Sequence, residues 1–121
     1  AIAVACQGLK EHLGSPIYWP IYTELERLGV PLCVHNRHAP PVENIFDSLL
    51  FKHAVGRPIM TAIQFAGLMY GGVPEKFPRL NVAFLECGVG WLPYWVERLD
   101  EEYEKRAPEA PLLKGKPSEY L

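Results

Sequence analysis

Three short apolar runs constrain the fold of this chain more than any other feature: Ala1-Ile2-Ala3-Val4-Ala5-Cys6, Val30-Pro31-Leu32-Cys33-Val34-His35 and Val82-Ala83-Phe84-Leu85-Glu86. None alternates apolar with polar residues. Each therefore predicts a parallel strand buried on both faces, not an antiparallel strand with one wet side. The stretches between them have helical period. Tyr18, Ile21, Tyr22, Leu25 and Leu28 recur at that spacing, with Gly29 as the stop. Ile45, Phe46, Leu49, Leu50 and Ala54 form a second set that ends near Gly56. Pro58 opens a third, with Ile59, Ile63, Ala66 and Tyr70 in register and Gly71-Gly72 closing it. A last helix carries Trp91, Trp95 and Leu99 on one side and tolerates Pro93 in its first turn. Strands separated by helices predict an α/β fold with a parallel sheet and right-handed crossovers.

Size then becomes informative. One strand and helix unit of a closed parallel barrel takes about 30 residues and eight take about 250. A chain of 121 residues with three to four such units matches part of a (β/α)8 barrel. The first run opens with no polar leader, like a strand entered midway, and a three-stranded parallel sheet leaves two apolar edges open. Residues 1–121 are thus expected to form a single partial domain. It would self-associate or join the missing portion of the barrel. The composition, 49% apolar and 21% charged with a net charge of −2, is that of a soluble globular chain. No window reaches the roughly 18 apolar residues of a membrane span, and no signal-peptide pattern is present, so the expectation is a cytoplasmic protein away from membranes. The absence of any Lys or Arg run argues against nucleic acid. Cys6, Cys33 and Cys87 form no C-x-x-C pair and lie within or at the ends of apolar runs, as buried thiols do.

In parallel α/β architectures, ligands meet the carboxyl ends of the strands. The first run ends at Cys6-Gln7, the second at His35 and the third at Glu86, so each hands over to a polar side chain where an active site would form. A neutral imidazole at such a place can ligate a metal, and a carboxylate can act as ligand or general base. The structural alternatives are a hydrogen-bonded His35 and a Glu86 that caps the last helix, whose N-terminus favours negative charge. His12 and His53 are expected at the surface or in helix packing, and His38 in a loop. Gly71-Gly72 and Gly88-x-Gly90 match no phosphate-loop spacing. Trp19, Trp91 and Trp95 are expected in packing, and the charged residues from Glu97 to Arg106 on a solvated helix face.

Specific strings add a resemblance. Pro20-Ile21-Tyr22, Leu28-Gly29-Val30-Pro31-Leu32-Cys33-Val34-His35 and above all the segment from Phe77 to Pro93 resemble the amidohydrolase-2 family, the metal-dependent TIM barrels related to aminocarboxymuconate semialdehyde decarboxylase. Lys116-Pro117-Ser118-Glu119-Tyr120 is similar to a further family segment. The resemblance covers nearly the whole chain but only the middle of a family domain. It implies a (β/α)8 barrel with a divalent metal, usually zinc, at the strand carboxyl ends. It implies that His35 is a metal ligand at the end of the fifth strand. A histidine commonly ends the next motif strand as acid or base, and Glu86 stands there instead. The His-x-His of the first strand and the aspartate of the eighth have no counterpart, and Asp47 and Asp100, both expected on helices, cannot replace that aspartate.

The resulting expectation is a central fragment of an enzyme that hydrolyses or decarboxylates a small carboxylated substrate, with His35 as metal ligand and Glu86 as the candidate catalytic base. The segment alone is expected to be inactive, because one ligand cannot hold the ion. The alternative is a non-catalytic α/β binding or scaffold module, including a self-associating half-barrel. Convergence of His35 and Glu86 would favour the enzyme, and a Glu86 bonded only to backbone amides would favour the cap.

Overall fold

A computed structural model describes residues 1–36 and 44–121. His38 and the proline-broken loop around it therefore lie outside the described residues. Three strands form one sheet in the order β1 (Ile2–Ala5), β2 (Leu32–His35) and β3 (Val82–Leu85), and both pairings are parallel. The register aligns Ala5 with His35 and His35 with Leu85. The Cys6 amide extends the first ladder by donating to the His35 carbonyl at 3.0 Å.

Helix α1 (Trp19–Leu28) carries the chain from β1 to β2. Gly29 ends it at φ 64°, a left-handed backbone that glycine adopts without strain, and the Val30 amide donates to Leu25 O at 2.9 Å across the stop. Between β2 and β3 run a short helix α2 (Leu49–Phe51), a π-helical turn (Lys52–Gly56), α3 (Arg57–Tyr70) and α4 (Val73–Lys76). Helix α5 (Leu92–Arg106) follows β3. Pro58 does not reopen a broken helix as the sequence pattern predicts. It sits in the first turn of α3, and the π-helical turn joins α2 to α3.

The expectation that the strands are buried on both faces is corrected. Along β2, Leu32 and Val34 are buried while Cys33 and His35 are half-exposed, and β3 is half-exposed throughout. The helices cover one face only. On that side Cys6, Leu32 and Val34 pack with Tyr22 and Leu25 of α1, Leu68 of α3 and Phe77. Phe65, Phe84 and Trp91 form an edge-to-face trio beside it, with centroids 5.7–6.1 Å apart. The other face, carrying Cys33 and His35, is the one a closed barrel turns inward.

The helical stripes are corrected too. On α3 the buried residues are Thr61, Ala62, Gln64, Phe65, Leu68 and Met69, whereas Ile59 and Ile63 are exposed. Ile45 (76% exposed) and Leu50 (75%) lie on the surface, not on a core face, and so do Ile21 and Leu28 of α1. Asp47 lies in a bend ahead of α2, not on a helix. The loop after β1 docks on α3 so closely that a Cβ added to Gly14 would stand 1.7 Å from the Gly67 carbonyl oxygen. In the same loop the Leu13 carbonyl accepts from the Tyr22 hydroxyl at 2.7 Å, and burial pushes that phenol well above its ordinary pKa.

Residues 114–120, beyond α5, are fastened to α4. The Tyr120 hydroxyl donates to Glu75 Oε2 at 2.7 Å and accepts from the Lys114 and Gly115 amides at 3.1 and 3.2 Å. Lys114 Nζ meets Glu75 Oε1. The side-chain bonds from Lys114 and Tyr120 hold the Glu75 carboxyl below the usual carboxylate range.

Two outcomes follow from this packing. Gly14→Ala should lose about 3 kcal/mol of stability in urea unfolding, since a backbone oxygen cannot yield to the new methyl. Because the folded pKa of Glu75 is depressed, its contribution is present at neutral pH and is lost as pH falls through that lowered value. Acidification should thus shift the Tyr120 ring resonances before global unfolding, and Glu75→Gln should abolish that early transition.

Candidate active site at the strand carboxyl ends

Parallel pairing places the last residues of the three strands side by side. Alternation along each strand then separates the side chains into two sets. Residues paired with His35 share its face, and Cys6 and Asn36, one position on, turn back toward α3. By the same alternation Glu86 would turn toward α3. It does not, because its backbone adopts φ 56°, the only positive φ among the described non-glycine residues. Rotation about its N–Cα bond swings the side chain to the His35 side, where Glu86 Oε1 lies 3.5 Å from His35 Nε2. A glutamate in the left-handed region costs about 1–2 kcal/mol, and such strain concentrates at functional positions.

A third group completes the cluster, and the sequence pattern had not pointed to it. Arg57, at the start of α3, donates from Nη1 to Glu86 Oε2 at 3.2 Å, so the two carboxylate oxygens are divided between a guanidinium and an imidazole. Arg57 Nη2 lies 3.3 Å from His53 Nε2, which fits a His53 carrying its proton on Nδ1 and brings that residue beside the site. One signal could have found Arg57. With a helix read from Pro58, it is a cation at a helix N-terminus, where the macrodipole disfavours positive charge. All four side chains retain contact with solvent, as a substrate would require; His35 is 39% and Glu86 59% exposed.

The cap reading of Glu86 does not describe this geometry. Helix α5 starts after Trp91 with no side-chain cap bond, and Glu86 is paired with His35 and Arg57 instead. His12 lies in the loop before α1, where its Nδ1 accepts from the Gly14 amide at 3.1 Å. Trp91 and Trp19 pack as expected, Trp91 on Phe65 and Phe84 and Trp19 edge-on to Phe77. Cys6 is buried, whereas Cys33 and Cys87 are half-buried. Among the described residues, no group of three His, Cys, Asp or Glu side chains converges to hold a metal ion. His35 and Glu86 offer one nitrogen and one oxygen donor, the kinds a divalent transition metal takes, so they fit as part of a ligand set and not as the whole of one. An apolar groove of about 540 Å³ lies elsewhere, beside β3, with Phe65, Met69, Phe84, Trp91 and Leu92 in its wall.

Comparison with known proteins agrees with this architecture. The sequence matches the amidohydrolase family profile over residues 4–121. The chain belongs to the amidohydrolase-2 family. It is 27% identical over 100 residues to the 2-amino-3-carboxymuconate-6-semialdehyde decarboxylase of Dictyostelium discoideum, which covers 79% of this chain and 26% of that protein. It is 34% identical over 88 residues to the gamma-resorcylate decarboxylase of Rhizobium sp. (strain MTP-10005), covering 70% of this chain and 27% of that protein. The fold matches the crystal structure of an amidohydrolase from Mycobacterium avium subsp. paratuberculosis K-10, with a TM-score of 0.83 over 99% of this chain and 33% of that chain, at 16% identity. The amidohydrolase-family chain thus spans about a quarter to a third of the proteins it matches. Its parallel α/β fold corresponds to part of an amidohydrolase barrel. No described helix is long and apolar enough to cross a membrane.

The strain at Glu86 has a measurable consequence. Glu86→Gly should be about 1 kcal/mol more stable than Glu86→Ala in chemical denaturation, because both lose the same carboxylate and only glycine relieves the backbone. Equal stabilities would mean that the left-handed conformation carries no cost.

Proposed function

We propose that this chain supplies central strands of a (β/α)8 barrel that hydrolyses or decarboxylates a small carboxylated substrate with the help of a divalent metal, zinc by preference. The observation that carries the reading is the convergence of His35, Glu86 and Arg57 at the carboxyl ends of β2 and β3. Family membership and the decarboxylase relatives support it. His35 Nε2 would be one metal ligand, and further ligands would come from outside the described residues. The metal supplies Lewis acidity that stabilises negative charge developing on the substrate.

The chain's own groups do the rest. Glu86 acts as proton carrier. In hydrolysis the oxygen beside His35 takes the proton of the attacking water, and in decarboxylation the carboxyl takes a proton from solvent and delivers it to the carbon that loses carbon dioxide. Arg57 holds the other oxygen, so the carrier stays aimed at the His35 side. Its guanidinium also offers the donors that a carboxylated substrate needs for orientation. The exposed inner face of the sheet and the open strand edges would be covered by the remaining strands or by a second copy.

In the complete protein, Glu86→Gln should lower turnover about 10²- to 10⁴-fold with little change in KM, assayed as carbon dioxide release from gamma-resorcylate and from 2-amino-3-carboxymuconate semialdehyde. His35→Ala should weaken zinc binding at least about tenfold in chelator competition. The 121-residue segment alone should show neither turnover nor a tight zinc site. One tight zinc site in the segment would overturn the view that it holds only part of the ligand set.

A further inference from the structure

Beneath the site lies a buried polar network that the reading above does not use. Asn36 is 3% exposed, Thr61 1%, Gln64 5% and Cys6 0%. Asn36 Oδ1 accepts from Cys6 Sγ at 3.0 Å, and Asn36 Nδ2 donates to the Leu85 carbonyl at 3.3 Å. Thr61 Oγ1 lies 3.1 Å from Asn36 Oδ1 and equally far from the Arg57 carbonyl, and its single proton serves one of them at a time. One amide group therefore ties together the end of β1, the end of β3 and the first turns of α3.

The positions of these contacts in the chain matter more than their number. Asn36 directly follows His35, and Leu85 directly precedes Glu86. The bond from Asn36 to Leu85 O thus spans the two backbones that carry the imidazole and the carboxylate. Through Thr61 the same amide reaches the backbone of Arg57. His35 is thus the chain neighbour of Asn36, Glu86 follows the residue whose carbonyl Asn36 holds, and Arg57 is reached through the Thr61 hydroxyl. A buried amide that loses its partners costs about 1–3 kcal/mol, so this network resists rearrangement and holds the spacing above it.

We propose that Asn36 is a positioning residue for the site: it sets the distance between His35 and Glu86 and so tunes how tightly the site holds a divalent metal. The proposal rests on His35 being a metal ligand. Gln64 provides the internal comparison. Its amide is buried on the helix that carries Thr61 and bonds the Cys6 carbonyl at 2.9 Å and the Leu13 amide at 2.8 Å, so neither bond is made to Asn36 or to the residues that flank Glu86.

The test is zinc affinity of the complete protein by chelator competition, alongside urea stability, for Asn36→Leu, Gln64→Leu and His35→Ala. Both amide variants should lose stability. Asn36→Leu should also weaken zinc binding about 10- to 100-fold, as loss of groups that orient ligands does, while Gln64→Leu stays within about twofold of the parent. If the two amide variants bind zinc alike while His35→Ala fails to bind it, the positioning role is overturned and the ligand assignment survives. If His35→Ala binds zinc like the parent, both fall. Should Asn36→Leu not fold, Thr61→Val removes one bond to Asn36 Oδ1 while preserving shape, and it should weaken zinc binding in the same direction; an unchanged affinity there would overturn the proposal.

Discussion

The parallel register of β1, β2 and β3 is the constraint on which the rest of the structure depends. Parallel neighbours cannot be joined by a tight turn, so each connection must leave the carboxyl end of one strand and return by a helix to the start of the next. That requirement puts every loop of one kind at one edge of the sheet. Register then decides which side chains share that edge. With Ala5, His35 and Leu85 aligned, the residues that follow them form a second row, and the two rows face opposite ways. A slip of one residue in β2 would send His35 under α3 and bring Asn36 to the open side, exchanging the candidate ligand with the residue that supports it.

Much of this was legible in the sequence, for a specific reason. Non-alternating runs of small and branched apolar residues are compatible with few things other than parallel strands, so β1, β2 and β3 could be placed within a residue or two, as could the polar residues that end them. The helical stripes were less legible. On α3 the core side includes Thr61 and Gln64, two polar residues whose partners come from distant strands and loops, whereas Ile59 and Ile63 are left outside. Counting apolar residues at helical spacing selects the wrong stripe whenever a helix buries hydrogen-bonding groups. Burial on both strand faces failed for a different cause. The described residues contain helices for one side of the sheet, and the side bearing Cys33 and His35 keeps its solvent contact.

The site itself was half legible. His35 and Glu86 stood out as polar ends of apolar runs, but their meeting depends on a backbone conformation that nothing in the string Leu85-Glu86-Cys87 announces. Left-handed residues are expected at glycine or asparagine, and Gly88 two positions on offered a more obvious place for the turn. The place of Arg57 at a helix start was a local signal, but its pairing with Glu86 across 29 residues of chain was not.

The presence of a carboxylate where the family resemblance leads one to expect histidine can be understood through Arg57. An imidazole that serves as a proton acceptor has one free lone pair in the plane of its ring, and a guanidinium beside it would occupy that acceptor. A carboxylate has two oxygens that can point apart. Glu86 gives Oε2 to Arg57 and keeps Oε1 beside His35, so it can be anchored and chemically available together. Substituting glutamate at this place is therefore not a simple exchange of one base for another. It is coupled to a cation at the start of α3, to the left-handed turn that aims the side chain, and through Thr61 and Asn36 to the strand that carries His35. On the proposed reading, placing histidine at position 86 alone would leave Arg57 facing a ring that cannot accept from it and still serve as a base, so such an exchange would need a change at both positions.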